Sequence, residues 1–235
     1  MKIHWPSFGI GIGVMIVIIA VSFFIFGQSI VKTPIATELV PQNIPSNATQ
    51  KAAFDVLIGN SSPILGSKDA PITMIEFGDY QCFYCHKFFN NTESDIVKNY
   101  IDTGKVKMIF KDFTIIGQDS ITAANAAHCA QEQGKFWEYH DALYDNWSGE
   151  NTGWASITNL VQIAKDVGLN QDQFNQCMNQ SKYMQVVQGS VTDANTLGLT
   201  GTPDFFIIAP DNSVTKVVGA EPYQVFDQIF KAKLQ

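Results

Sequence analysis

Cys82 and Cys85, separated by Phe83 and Tyr84, are the residues whose types and spacing point most directly at chemistry. Two cysteines so spaced can cycle between dithiol and disulfide, begin a zinc site, or, with His86 following, meet the attachment pattern of a c-type haem. Redox exchange makes the sharpest demand on the surrounding chain. Its attacking species is a thiolate, and a cysteine at a helix N-terminus ionises readily because unpaired backbone N–H groups and the helix dipole favour negative charge there.

The flanking sequence supplies such a position. Residues 72–77 are apolar or β-branched apart from Glu76 and read as a buried strand, the residues after Cys82 read as a helix, and residues 106–110 read as a second strand. Strand, helix and strand with short connections form a right-handed βαβ unit with parallel strands. Beyond Asp112 helical spacing takes over in stretches 120–146, 154–167, 172–179 and 182–197, with Ala123, Ala126, Ala127 and Ala130 followed by Phe136, Tyr139, His140 and Leu143 on one face. Strand-like residues return at 205–208 and 214–218, joined through Pro210-Asp211-Asn212 as a hairpin, and a last helix runs from Pro222 to about Lys233. The predicted order is βαβ, helical insertion, ββα: an α/β domain.

The chain of 235 residues is 46% apolar and can bury a full core. Its net charge of −7, with lysine as every one of its 15 basic residues, argues against a nucleic-acid or anionic-membrane surface and removes bidentate guanidinium clamps. Residues 8–27 are uncharged and long enough to span a bilayer, and no small-residue cleavage site closes them, so residues 1–27 are predicted as an uncleaved membrane anchor. Lys2 and the terminal amine place the N-terminus inside and the body outside, in a disulfide-permissive compartment. Residues 28–60, polar and punctuated by Pro34, Pro41 and Pro45, read as a tether with a short helix near 49–58, a helix that packing onto the domain would also suit; the domain follows over 61–235, its insertion spanning about 118–197.

Taken together, Gly66-Ser67-Lys68-Asp69-Ala70-Pro71, the strand ending Glu76-Phe77, the pair Cys82 and Cys85, the helical stretch and Gly201-Thr202-Pro203 before the third strand resemble the DsbA family of thioredoxin-fold proteins. The resemblance covers about residues 60–235. It implies that Cys82 is the exposed nucleophile, Cys85 the buried resolving cysteine, Thr202-Pro203 a cis-proline loop that receives extended substrate, and Glu76 a buried acid that assists proton transfer. It also implies an enzyme: a protein thiol–disulfide oxidoreductase needing no cofactor and no metal. Cys129 and Cys177, 48 residues apart among helix-like residues, are either a second disulfide such as some members carry, or two buried thiols.

Two positions depart from the family's commonest pattern. Phe83-Tyr84 replaces the Pro-His of strong oxidants, and Asp204 follows the proline where a neutral residue is common. Like-charge repulsion from Asp79 and Asp204 is expected to leave Cys82 less acidic than in those oxidants, while His86 either faces solvent or points at the sulfur. The expected activity is oxidation of reduced or unfolded exported proteins by a monomer, recharged by a membrane quinone reductase of the DsbB or VKOR type. Isomerase, reductase and membrane-tethered peptide-binding module are the alternatives, and a haem protein is disfavoured because that pattern does not explain Gly201-Thr202-Pro203.

Overall fold

A computed structural model describes residues 54–235. The predicted anchor and nearly all of the tether lie outside the described residues. Among those described, no helix is long and apolar enough to cross a membrane.

Four strands, β1 (Ile72–Gly78), β2 (Val106–Asp112), β3 (Asp204–Ile208) and β4 (Val214–Val218), form one sheet in the order β2-β1-β3-β4. β1 and β2 run parallel, while β1 pairs antiparallel with β3 and β3 with β4. Helix α1 connects β1 to β2. It starts as Phe83–Phe88 and continues through a π-type turn (Phe89–Glu93), a short α stretch (Ser94–Ile96) and a second π-type turn (Val97–Ile101). The insertion comprises α2 (Gln118–Gln131), α3 (Phe136–Asp145), α4 (Ile157–Asp166), α5 (Gln171–Asn179) and α6 (Met184–Thr196), and α7 (Tyr223–Lys233) closes the chain.

Alternation along β1 sends its side chains to two different cores. Ile72 and Met74 meet Phe88 and Ile96 of α1 and Phe226 and Phe230 of α7, whereas Ile75 and Phe77 meet Phe206, Ile208 and, from α6, Ala194. A third core lies within the insertion and reaches Tyr80, Cys82 and Cys85. One disulfide, Cys129–Cys177, ties α2 to α5.

Three boundaries differ from the sequence reading. The long stretch 120–146 is two helices, because the chain turns at Gly134 with φ 70°, a conformation glycine adopts without a Cβ clash. β2 extends through Lys111 and Asp112, charged residues that would ordinarily end a buried strand. Both are buried and paired: Lys111 Nζ lies 2.7 Å from an Asp193 carboxylate oxygen, and His128 Nε2 lies 2.7 Å from Asp112. Lys111 also donates to the carbonyls of Val56 and Gly59, so residues 54–60, assigned above to the tether, pack on the domain, with Leu57 only 6% exposed.

Candidate active site

The β1–α1 turn brings the two free cysteines to the C-terminal end of the interior strand β1, beside the loop before β3. Cys82 is the N-cap residue of α1, extended at φ −67° and ψ 125°, and its carbonyl accepts the first helical hydrogen bond from the His86 N–H at 3.0 Å. The Thr202–Pro203 peptide is cis. Across this loop the Cys82 thiol donates to the Thr202 carbonyl at 3.3 Å. The Thr202 hydroxyl is buried without another partner and is available to a thiolate.

The two sulfurs are driven apart in acidity. Hydrogen bonding from the Cys85 thiol, opposed by burial and aided by Thr202 and the N–H groups of Cys85 and Tyr84, lowers the Cys82 pKa to about 6. Cys85 is fully buried, and that burial, with the neighbouring Cys82 sulfur and Glu76, pushes its thiol well above the ordinary range. At neutral pH the pair therefore holds one thiolate on Cys82 and one thiol on Cys85. Glu76 sits on the α1 face of the sheet, 1% exposed, and its carboxyl is raised well above the usual range by burial, then by Glu93 and Cys82. Gly78 keeps that pocket tight: a Cβ there would stand 2.4 Å from the Phe110 ring and 3.2 Å from Glu76 Oε1.

Several expectations change. Cys82 is not an exposed nucleophile, since only 5% of its surface is accessible. Its covering comes from its place between the cis-proline loop and the insertion core. The Asp79 carboxylate accepts from the N–H groups of Gln81, Ile115 and Ile116 at 2.8–3.0 Å, donors that offset its charge, and ties the active-site turn to the start of the insertion. Asp204 is likewise absorbed, its carboxylate 3.1 Å from Lys216 Nζ, and burial raises its pKa despite that partner. His86 neither faces open solvent nor points at the sulfur: its ring stacks on Trp147 at 4.4 Å and its Nε2 lies 2.8 Å from Asn90 Nδ2. Phe83 and Tyr84 are about half exposed and form an aromatic rim with Trp147 beside Cys82.

The structure also brings in residues that the sequence reading passed over. Gln81, fully buried, donates to Ser120 Oγ at 3.0 Å and accepts from the Asn151 N–H at 2.8 Å, while its carbonyl accepts from Trp147 Nε1 at 2.7 Å. These bonds wrap the loop after α3 around the start of α1. There the Glu150 carboxylate accepts the N–H of Phe83, the residue after Cys82, at 2.9 Å. No local motif marks Glu150, which is 67 residues from Phe83 in sequence.

Residues 60–214 match the family model described as thioredoxin. The chain is 29% identical over 147 residues to the probable disulfide bond formation protein D of Bacillus anthracis, covering 61% of this chain and 68% of that one. Its fold is similar to the crystal structure of Wolbachia pipientis alpha-DsbA1, with 32% identity, a TM-score of 0.66, and coverage of 75% of this chain and 92% of that one. It is also similar in fold to oxidised BdbD from Bacillus subtilis, with 24% identity, a TM-score of 0.67, and coverage of 74% and 92%. With one acidified cysteine at a helix start, one buried partner thiol and a cis-proline loop beside them, the chain belongs to the thioredoxin family, in its DsbA-like branch, and is a protein thiol–disulfide oxidoreductase.

Proposed function

We propose that the protein is an extracytoplasmic oxidase that introduces disulfides into reduced exported proteins, held at the membrane by residues 1–27 and recharged by a membrane quinone reductase. The observation that supports this reading is the placing of Cys82 at the N-cap of α1, where helix N–H groups, Thr202 and the Cys85 thiol favour its thiolate and lower its pKa to about 6. A stabilised thiolate on the reduced enzyme favours the state in which the electrons rest on the enzyme and the disulfide on the client. The half-exposed rim of Phe83 and Tyr84 offers an unfolded client apolar contact next to the reacting sulfur.

In this reading a client thiolate attacks the Cys82 sulfur, the Cys82–Cys85 bond breaks, and Cys85 leaves with the electron pair and takes up one proton through Glu76. A second client thiolate then attacks the client sulfur of the mixed disulfide. The client's own disulfide forms, and Cys82 leaves as a thiolate that needs no proton. The loop of Thr202 and Pro203 holds the client chain alongside. Cys85→Ser expressed in the native compartment tests the assignment by what stays covalently bound to Cys82. Reduced exported clients and a quinone-linked membrane protein support the oxidase; a reducing donor as the sole adduct replaces it with a reductase or isomerase.

A further inference from the structure

In the core that holds Cys85, Tyr80 and Tyr144 lies a group of buried polar side chains for which exchange at the sulfurs gives no direct use. Glu93, 4% exposed on the first π-type turn of α1, has its Oε1 4.0 Å from Nε2 of the fully buried His140. One ligating atom from each of Glu93, His140 and the exposed Asp141 lies within 4.8 Å of the other two. His140 Nδ1 is 3.1 Å from the Tyr80 hydroxyl, and the rings of His140 and Tyr144 meet at 5.1 Å. Four atoms in this neighbourhood, Glu76 Oε2, Glu93 Oε2, His140 Nε2 and Tyr144 Oη, are buried without a protein partner. Buried polar atoms of this kind are satisfied by internal water, which needs two to four polar partners in a polar site. Among the described residues no lysine pairs with Glu76, Glu93 or Asp141.

We propose that Glu93 and Asp141, bridged by internal water, form the route by which the Cys85 proton travels between Glu76 and solvent. The inference rests on Cys85 being the leaving and resolving sulfur of the proposed reaction. Since Cys85 is 0% exposed, the proton it takes up on leaving as a thiolate must be carried through the protein. Glu76 gives that proton, Glu93 restores Glu76, and Asp141, which reaches solvent, restores Glu93. The reverse reaction runs the same transfers backwards. A carboxylic acid can accept a proton on one oxygen while releasing one from the other, and an amide cannot. The groups facing Glu93 are Glu76 from β1, Tyr80 from the β1–α1 turn, and His140, Asp141 and Tyr144 from α3. Burial keeps His140 neutral by lowering its pKa to about 3, and it raises Glu93 to about 8 and, with Asp145 and Glu138, Asp141 to about 6. With Glu93 and Asp141 titrating on either side of neutral pH, each can take up and release a proton near the operating pH.

Glu93→Gln is the test, in the full chain, with reduction of the Cys82–Cys85 disulfide by a reduced cysteine peptide followed by tryptophan fluorescence. Below a pH of about 8 Glu93 and glutamine are both uncharged, so the substitution changes proton transfer and not the local charge. We expect the rate to fall about tenfold, under the about 100- to 10,000-fold range of direct general acid–base catalysis, with a larger solvent deuterium isotope effect. The reduction potential against glutathione stays unchanged, because a relay speeds both directions alike. Asp141→Asn, at an exposed position, is expected to slow the same step by a smaller factor and serves if Glu93→Gln does not fold. Unchanged rates and pH profiles in these variants overturn the route. A shifted potential with an unchanged rate overturns it equally, by making Glu93 an electrostatic residue. Cys85→Ser offered the oxidised peptide separates the two failures: a mixed disulfide that persists on Cys82 supports the reaction scheme whatever the relay variants show, and its absence is a failure of the scheme and not of the route.

Discussion

Glu150→Gln is expected to make Cys82 more acidic and the protein more oxidising. The Glu150 carboxylate accepts the Phe83 N–H at the start of α1, so its charge and the Cys82 thiolate compete for the same positive helix end. Glutamine can still accept that N–H, which preserves the cap while removing the charge. A charge at an exposed helix N-terminus is worth about 0.3–1 kcal/mol, and one pKa unit corresponds to about 1.4 kcal/mol, or about 30 mV for a two-electron couple. The Cys82 pKa should therefore drop from about 6 by about 0.2–0.7, and the potential rise by about 6–20 mV. Solvent around the loop places the effect in the lower half of those ranges. Thiolate absorbance against pH gives the first quantity and equilibration with glutathione the second. Both should shrink as salt rises from about 0.01 M to about 1 M, where the screening length falls from about 30 Å to about 3 Å. An unchanged or higher Cys82 pKa at low salt refutes the reasoning, and Asp211→Asn, in the exposed hairpin turn, controls for a general change in net charge.

Removing the Cys129–Cys177 bond with paired serines should lower unfolding free energy by about 2–4 kcal/mol in urea, because a 48-residue separation is released in the unfolded chain; exchange at Cys82 should persist in the folded fraction. Burial raises the Glu93 pKa to about 8 from an ordinary carboxyl value of 4.5, so the folded state holds this proton more tightly than the unfolded chain. The associated stability is fully present below about 4.5 and lost as pH rises through about 8, so urea midpoints should fall over that window in the wild type and stay flatter in Glu93→Gln. A wild-type slope equal to the variant's would remove Glu93 as its cause.

Much of the scaffold was legible because its signals are local. The apolar run around Glu76, the cysteine spacing and the turn Pro210-Asp211-Asn212 each announce an element within a few residues, and their order supplies the topology. Glu93 was hidden by its neighbourhood, since Asn90-Asn91-Thr92-Glu93-Ser94 has the composition of a solvated face. The π-type turn breaks the 3.6-residue rhythm that started at Cys85 and Phe88, and both Thr92 and Glu93 are buried there. Lys111 and Asp112 misled for a similar reason: a charge looks like a strand end until its distant partner, Asp193 or His128, is in place. Glu150 and Gln81 depend on a loop packed back from the insertion, a relation that carries no short-range pattern.

The central claim is that the two cysteines are chemically unequal, with Cys82 the ionised nucleophile and Cys85 its buried, protonated partner. Alkylation of the reduced protein by iodoacetamide across pH, with each site quantified by peptide mass spectrometry, measures this directly. The account predicts modification of Cys82 alone with a midpoint at about 6, and a Cys85 that stays unmodified throughout that range. A Cys82 midpoint at the ordinary cysteine value of about 8.5, or reaction of Cys85 alongside it, would contradict the account.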